Sequence, residues 1–156
     1  MEAVIGSVVA VLGTLLGSVV THLFQRRSAD RSEHFARAER LRQERIDAYC
    51  AYAGALLDYR RVLVHRWFVR HEGERCGEDT PELREEVYKN RYAAQEAMFR
   101  AQMVSDDPEI LGLTERIMAA VTEIHWADDR DALDALRDTT RQGIRDFVAA
   151  TARRVR

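Results

Sequence analysis

Lysine is nearly missing from this chain of 156 residues: Lys89 stands alone beside 23 arginines, and Asn90 is the single asparagine. That skew fits a GC-rich genome better than a selection for guanidinium chemistry. Cys50 and Cys76 are the only cysteines, too few for a disulfide framework or a thiolate zinc site. Both are expected to stay reduced, as in a cytoplasmic domain. The five serines, at 7, 18, 28, 32 and 105, leave no GxSxG nucleophile elbow. A GxxxxGK[ST] phosphate loop and a GxGxxG turn are missing as well. His71-Glu72 opens like a zincin motif, but Arg75 stands where HExxH needs its second histidine. Without a Glu-x-x-His repeat the chain also lacks the signature of a di-metal bundle. No catalytic residue, cofactor or metal site is therefore expected. The net charge of −2 argues against a dedicated nucleic-acid binder.

What is present is unevenly distributed. Residues 3–24 hold no Asp, Glu, Lys or Arg, residues 25–72 carry +4, and residues 73–156 carry −5. As a helix, the uncharged stretch spans roughly 33 Å, about one hydrocarbon thickness. It lacks the positive start and cleavage site of a signal peptide, which favours a retained anchor. Arg26, Arg27 and Arg31 follow it and no cation precedes it, so the N-terminus is expected outside and the bulk of the chain inside the plasma membrane.

Small residues recur along this segment with a period of seven: Ala3, Ala10 and Gly17; Gly6 and Gly13; Ser7, Thr14 and Thr21. Lipid offers helices no hydrophobic reason to associate, so close approach along such a thin face predicts a homo-oligomer. Residues 28–45 read as a charged helical stalk, with Glu33 and Arg37 at favourable i, i+4 spacing. Its basic balance, led by Arg26, Arg27 and Arg31, suits anionic lipid head groups.

From Ile46 onward the pattern is amphipathic. Tyr49, Tyr52, Leu56, Tyr59, Leu63 and Trp67 recur at three- and four-residue steps, which predicts a helix ending near His71. Gly73 and Gly77 bracket a polar loop, and Thr80-Pro81-Glu82 then supplies an N-cap, a proline at the first helical position and an early acid. Leu83, Val87, Ala94, Met98 and Ala101 line that second helix. The run Ser105-Asp106-Asp107-Pro108 ends it and starts a third, lined by Ile110, Leu113, Ile117, Val121 and Ile124. Asp128 or Asp129 caps a fourth, with Leu133, Leu136, Thr140, Ile144, Phe147 and Thr151 inside. The expected fold is all-α: a transmembrane anchor (1–27), a stalk (28–45) and an antiparallel four-helix bundle (46–156).

Within the bundle, Cys50 is expected as a small buried residue. Arg153, Arg154 and Arg156 are expected to oppose the dipole of the last helix. His65, Trp67, His125 and Trp126 fall towards the distal end and form the candidate partner surface, since tryptophan is favoured at interface anchors.

The order of parts, carried by VLGTLLGSVVTHLFQRR, RAERLRQERIDAY and AAQEAMFRAQMVSDDPEI, resembles a broad group of small, uncharacterised, membrane-anchored helical proteins of GC-rich bacteria. That resemblance implies the architecture and no activity. The expected function is a non-enzymatic, self-associating membrane scaffold or adaptor that presents its bundle to a protein partner. The alternative is a small oligomeric pore regulated by the bundle.

Overall fold

The four apolar stripes become four helices. The structure, a computed structural model, describes residues 33–73 and 77–155. Helix α1 is Glu2–His71, of which residues 33–71 are described, α2 is Pro81–Met103, α3 is Pro108–Glu123, and α4 is Arg130–Arg154, with one 3₁₀ turn at Ile124–Trp126 between α3 and α4. The chain divides into two compact units, Met1–Leu41 and Arg42–Arg156. In the first, exposed Arg37 and Glu33 form an ion pair one turn apart. The second holds the bundle.

Among the described residues no helix is long and apolar enough to cross a membrane. The span expected at 3–24, its small-residue face from Ala3 to Thr21, and the head-group contacts of Arg26, Arg27 and Arg31 lie outside the described residues. The bundle begins slightly earlier than the sequence pattern suggests, because Arg42 and Arg45 belong to it. Arg42 Nε donates to the Val155 carbonyl and Arg45 Nε to the Val104 carbonyl, the latter at 3.0 Å. These are carbonyls just past the C-termini of α4 and α2, where a helix has no partner of its own to offer.

Each later helix starts at the cap its sequence announced. Thr80 Oγ1 accepts from Leu83 N, Asp107 Oδ1 from Glu109 N, and Asp129 Oδ1 from Ala132 N. Of the two aspartates that could cap α4, Asp129 does so. Gly77, at φ 99°, supplies the left-handed backbone that the α1–α2 connection uses.

The direction of packing follows from the bonds between elements. The start of the bundle portion of α1 meets the ends of α2 and α4 through Arg45 and Arg42. Its end meets the α1–α2 loop through Arg66 and the stretch after α3 through Trp67. The four helices therefore run alternately up and down. Tyr52, Leu56, Tyr59, Leu63, Ile110, Val121, Leu133 and Phe147 form the buried centre. Phe147 receives two edge-on tyrosines, Tyr52 at 5.3 Å and Tyr49 at 5.9 Å between ring centroids. Such aromatic pairs add about 0.5–1.5 kcal/mol each beyond the area they bury.

Polar groups inside the core are satisfied locally. The Tyr52 hydroxyl donates to the Thr114 carbonyl at 2.6 Å, and burial raises its pKa far above the ordinary tyrosine value. Thr114, Thr140 and Thr151 hydroxyls donate back to carbonyls of the preceding turn. Cys50 corrects the sequence expectation: it is exposed. It lies about 100° around the helix from Tyr49, on the side away from Ala48 and Tyr52, and so falls outside the buried arc of α1.

Candidate functional site

Two features of the bundle are arranged outward, and both begin at the end of the bundle opposite Arg42 and Val155. The first is built on Trp67. Its ring is buried, stacks on His71 at 4.2 Å and receives Phe68 edge-on. Its indole N–H donates to the Ala127 carbonyl at 2.7 Å. Ala127, itself buried, closes the 3₁₀ turn, so Trp126 one residue earlier is thrown outward and remains 68% exposed. His125 packs edge-on to Trp126 at 4.6 Å. Burial lowers the His125 pKa below its usual value, with Arg66 and Arg70 adding to the effect.

Below this turn the α1–α2 loop is locked by charge. Arg66 grips Asp79 with two nitrogens, at 2.9 and 3.1 Å, and Arg84 reaches the same carboxylate from α2. The hydrogen bond from Arg66 is the main reason the Asp79 pKa falls below the ordinary carboxylate value. Arg130, at the head of α4, lies over the Phe68 ring at 4.9 Å and reaches Glu72. A cavity of about 270 Å³ opens between Tyr59, Leu63, Val87, Tyr88, His125 and Trp126.

The second feature runs from that cavity along α2. Val87, Ala94, Ala97 and Ala101 bury one face of the helix. On the other, Tyr88, Tyr92, Phe99 and Met103 are 59, 70, 50 and 78% exposed. At 100° per residue these four fall within an arc of about 60° and extend over about 22 Å. Scattered surface apolars need no explanation, whereas a contiguous apolar stripe marks an interaction site.

Of the four residues expected to form a partner surface, the structure brings His125 and Trp126 together at the distal end. Trp67 belongs to the core beneath them, a correction that its place in the buried stripe of α1 explains. His65 is exposed on α1, outside the cavity that His125 and Trp126 line. The α2 stripe was missed by sequence reasoning. Its signal was there, as a second set of apolar residues at four-, seven- and four-residue steps on a helix whose core face was already assigned. Arg153 and Arg154 do more than face their own helix end: they reach Glu109 and Asp107 at the start of α3.

A shallow groove of about 640 Å³ also lies between α3 and α4, where Ile117 packs closely against Gly143. Among the described residues no three His, Cys, Asp or Glu side chains gather as a metal site. Glu74 and Cys76 of the polar loop lie outside the described residues.

The match that decides the family spans the bundle. Residues 46–155 fit the family model described as KilB plasmid transfer protein. The chain belongs to the KilB family. Protein KilB of Streptomyces lividans is 29% identical over 148 residues, covering 95% of this chain and 96% of that protein. No solved structure matches the chain. The KilB match begins at Ile46, where the amphipathic stripe of α1 also begins, and it includes Trp126 and all four residues of the α2 stripe.

Proposed function

We propose that this chain is a non-enzymatic accessory protein of plasmid transfer, a membrane-anchored scaffold whose helical bundle engages a protein partner at the Trp126 end. The observation that carries the reading is an outward tryptophan inside the span that matches the family. The KilB match covers residues 46–155, and within that bundle Trp126 is held outward by a buried bond made for its neighbour Ala127. An exposed tryptophan beside a small cavity is the usual chemistry of a binding anchor. Anchoring rests on the uncharged residues 3–24 and the arginines that follow them, with the bundle on the cytoplasmic face of the plasma membrane. Association of the anchors through Ala3, Gly6, Ala10, Gly13 and Gly17 raises the local concentration of bundles, so a weak contact at each one suffices.

A mating experiment tests the role. Donor cells carry a transmissible plasmid with or without an intact copy of this coding sequence, and transconjugants are counted. Loss of the chain is expected to lower transfer and a restored copy to recover it. Equal transfer by both donors would contradict the proposal.

A further inference from the structure

The exposed stripe of α2 has an internal symmetry that its positions make explicit. Tyr88 and Met103 are equidistant from the point between Gln95 and Glu96, and so are Tyr92 and Phe99. A surface that meets an identical copy across a two-fold axis must be self-complementary, with residue i facing j while j faces i. Two α2 helices laid antiparallel about that midpoint satisfy this condition. Tyr88 of each copy then meets Met103 of the other, and Tyr92 meets Phe99.

From these relations we infer that the α2 stripe is the docking surface for a second copy of this chain, paired antiparallel through Tyr88, Tyr92, Phe99 and Met103. Sulfur against an aromatic ring is a favourable contact, and offset or edge-on aromatic pairs are favourable too. At the centre, half-buried Gln95 carries both a donor and an acceptor, so its amide can pair with its own copy across the axis. A polar residue at the middle of an apolar seam is a known way to fix register. On the flank, Arg100 lies one turn from Glu96 and balances the acid that the pairing brings towards its copy.

The area is sufficient. With about 150–250 Å² on each aromatic side chain, the three aromatics at their observed exposure present on the order of 360 Å² per copy, and Met103, 78% exposed, brings the total to on the order of 500 Å². Pairing therefore covers on the order of 1,000 Å², the lower bound for a specific interface. The opposite face of α2 is packed within the chain, and among the described residues nothing covers the stripe. Antiparallel pairing points the Arg42 ends of the two bundles in opposite directions, so it is a different association from one through residues 3–24, and it shares Tyr88 with the cavity beside Trp126.

Position-specific cross-linking of the full chain in mild detergent tests it. Cys50 and Cys76 are changed to serine, and single cysteines are introduced as Gln95→Cys, Tyr88→Cys, Met103→Cys and, on the exposed surface of α1, Leu57→Cys. A disulfide needs Cα atoms within about 7 Å. Antiparallel pairing places the two copies of residue 95 beside the axis and those of residue 88 about 22 Å apart. Under mild oxidation Gln95→Cys is expected to form dimers at least ten-fold faster than Tyr88→Cys or Leu57→Cys. Mixed Tyr88→Cys and Met103→Cys chains are expected to form a heterodimer faster than either forms a homodimer. Equal rates at 95 and 57 would overturn the inference, leaving the stripe to a different partner. Fast homodimers of Tyr88→Cys would overturn it in favour of parallel association.

Discussion

The indole N–H of Trp67 donates to the carbonyl oxygen of Ala127 across 2.7 Å, and this bond separates the roles of the two tryptophans. It ties the connection before α4 to the end of α1, burying one ring and leaving the other outside. Because Trp67 and Trp126 are the only tryptophans, fluorescence can read each alone. Trp126→Phe should leave a blue-shifted emission from Trp67 and change stability by no more than about 0.5 kcal/mol, as for an exposed site. Trp67→Phe should leave the red-shifted emission of Trp126. It strands the buried Ala127 carbonyl, so chemical denaturation should show a loss of about 1–3 kcal/mol. A red-shifted Trp126→Phe protein would refute the assignment.

Asp79 joins the α1–α2 loop to both flanking helices through Arg66 and Arg84. Asp79→Asn keeps the size of the side chain and removes its charge. The expected cost is about 1–3 kcal/mol, typical of hydrogen bonds between charged groups away from full solvent exposure. Urea melts of the two proteins measure it.

Glu82 and Asp134 at the surface also have lowered pKa, but the pH response of the bundle is followed at His125 and Asp79, which pack against other elements. His125 is held below its usual 6.5 by burial first, and Asp79 below its usual 3.8 by its bond to Arg66. In both cases the unfolded chain binds protons more readily than the folded one, so acid favours unfolding. The His125 contribution is complete above its unfolded value of 6.5 and fades as pH falls through the folded value. That of Asp79 is complete above 3.8 and is lost at lower pH still. Thermal midpoints should therefore fall in two stages on acidification, and His125→Gln should flatten the first. An unchanged first stage in that variant would assign the loss to another group.

Much of the fold was legible because it depends on local chemistry. Periodicity marked the buried faces of all four helices, and Thr80, Asp107 and Asp129 cap where a short polar residue precedes a helical run. Cys50 and Trp67 were misplaced for different reasons. Cys50 is adjacent to buried Tyr49 in sequence but not on the helix, whereas Trp67 continues the buried stripe and its aromatic character suggested a surface role. The arginine contacts were not legible. Which carbonyls Arg42 and Arg45 meet depends on how distant helix ends come together, and no local pattern encodes that. The outward stripe of α2 was readable in principle. Tyr88, Tyr92, Phe99 and Met103 share a face, but a single core stripe had already accounted for that helix.

Asp107 illustrates a residue whose local role was readable and whose tertiary role was not. One carboxylate oxygen caps α3 through Glu109 N, and the other holds Arg154 at the end of α4. Asp107→Ala should cost about 1–2 kcal/mol through loss of the cap together with the pair. Asp107→Asn retains the cap acceptor and should cost less than half as much. Equal losses in the two variants, read from denaturant midpoints at constant slope, would show that the Arg154 pair dominates.

The decisive measurement for a surface role at the distal end is plasmid transfer by a donor whose only copy of the chain carries Trp126→Glu, read beside the thermal midpoint of the same protein. A charge at this exposed position should leave the midpoint within about 2 °C, as expected of an exposed substitution, while transfer falls at least ten-fold. Wild-type transfer with a folded Trp126→Glu protein would contradict the claim that the bundle acts through this tryptophan.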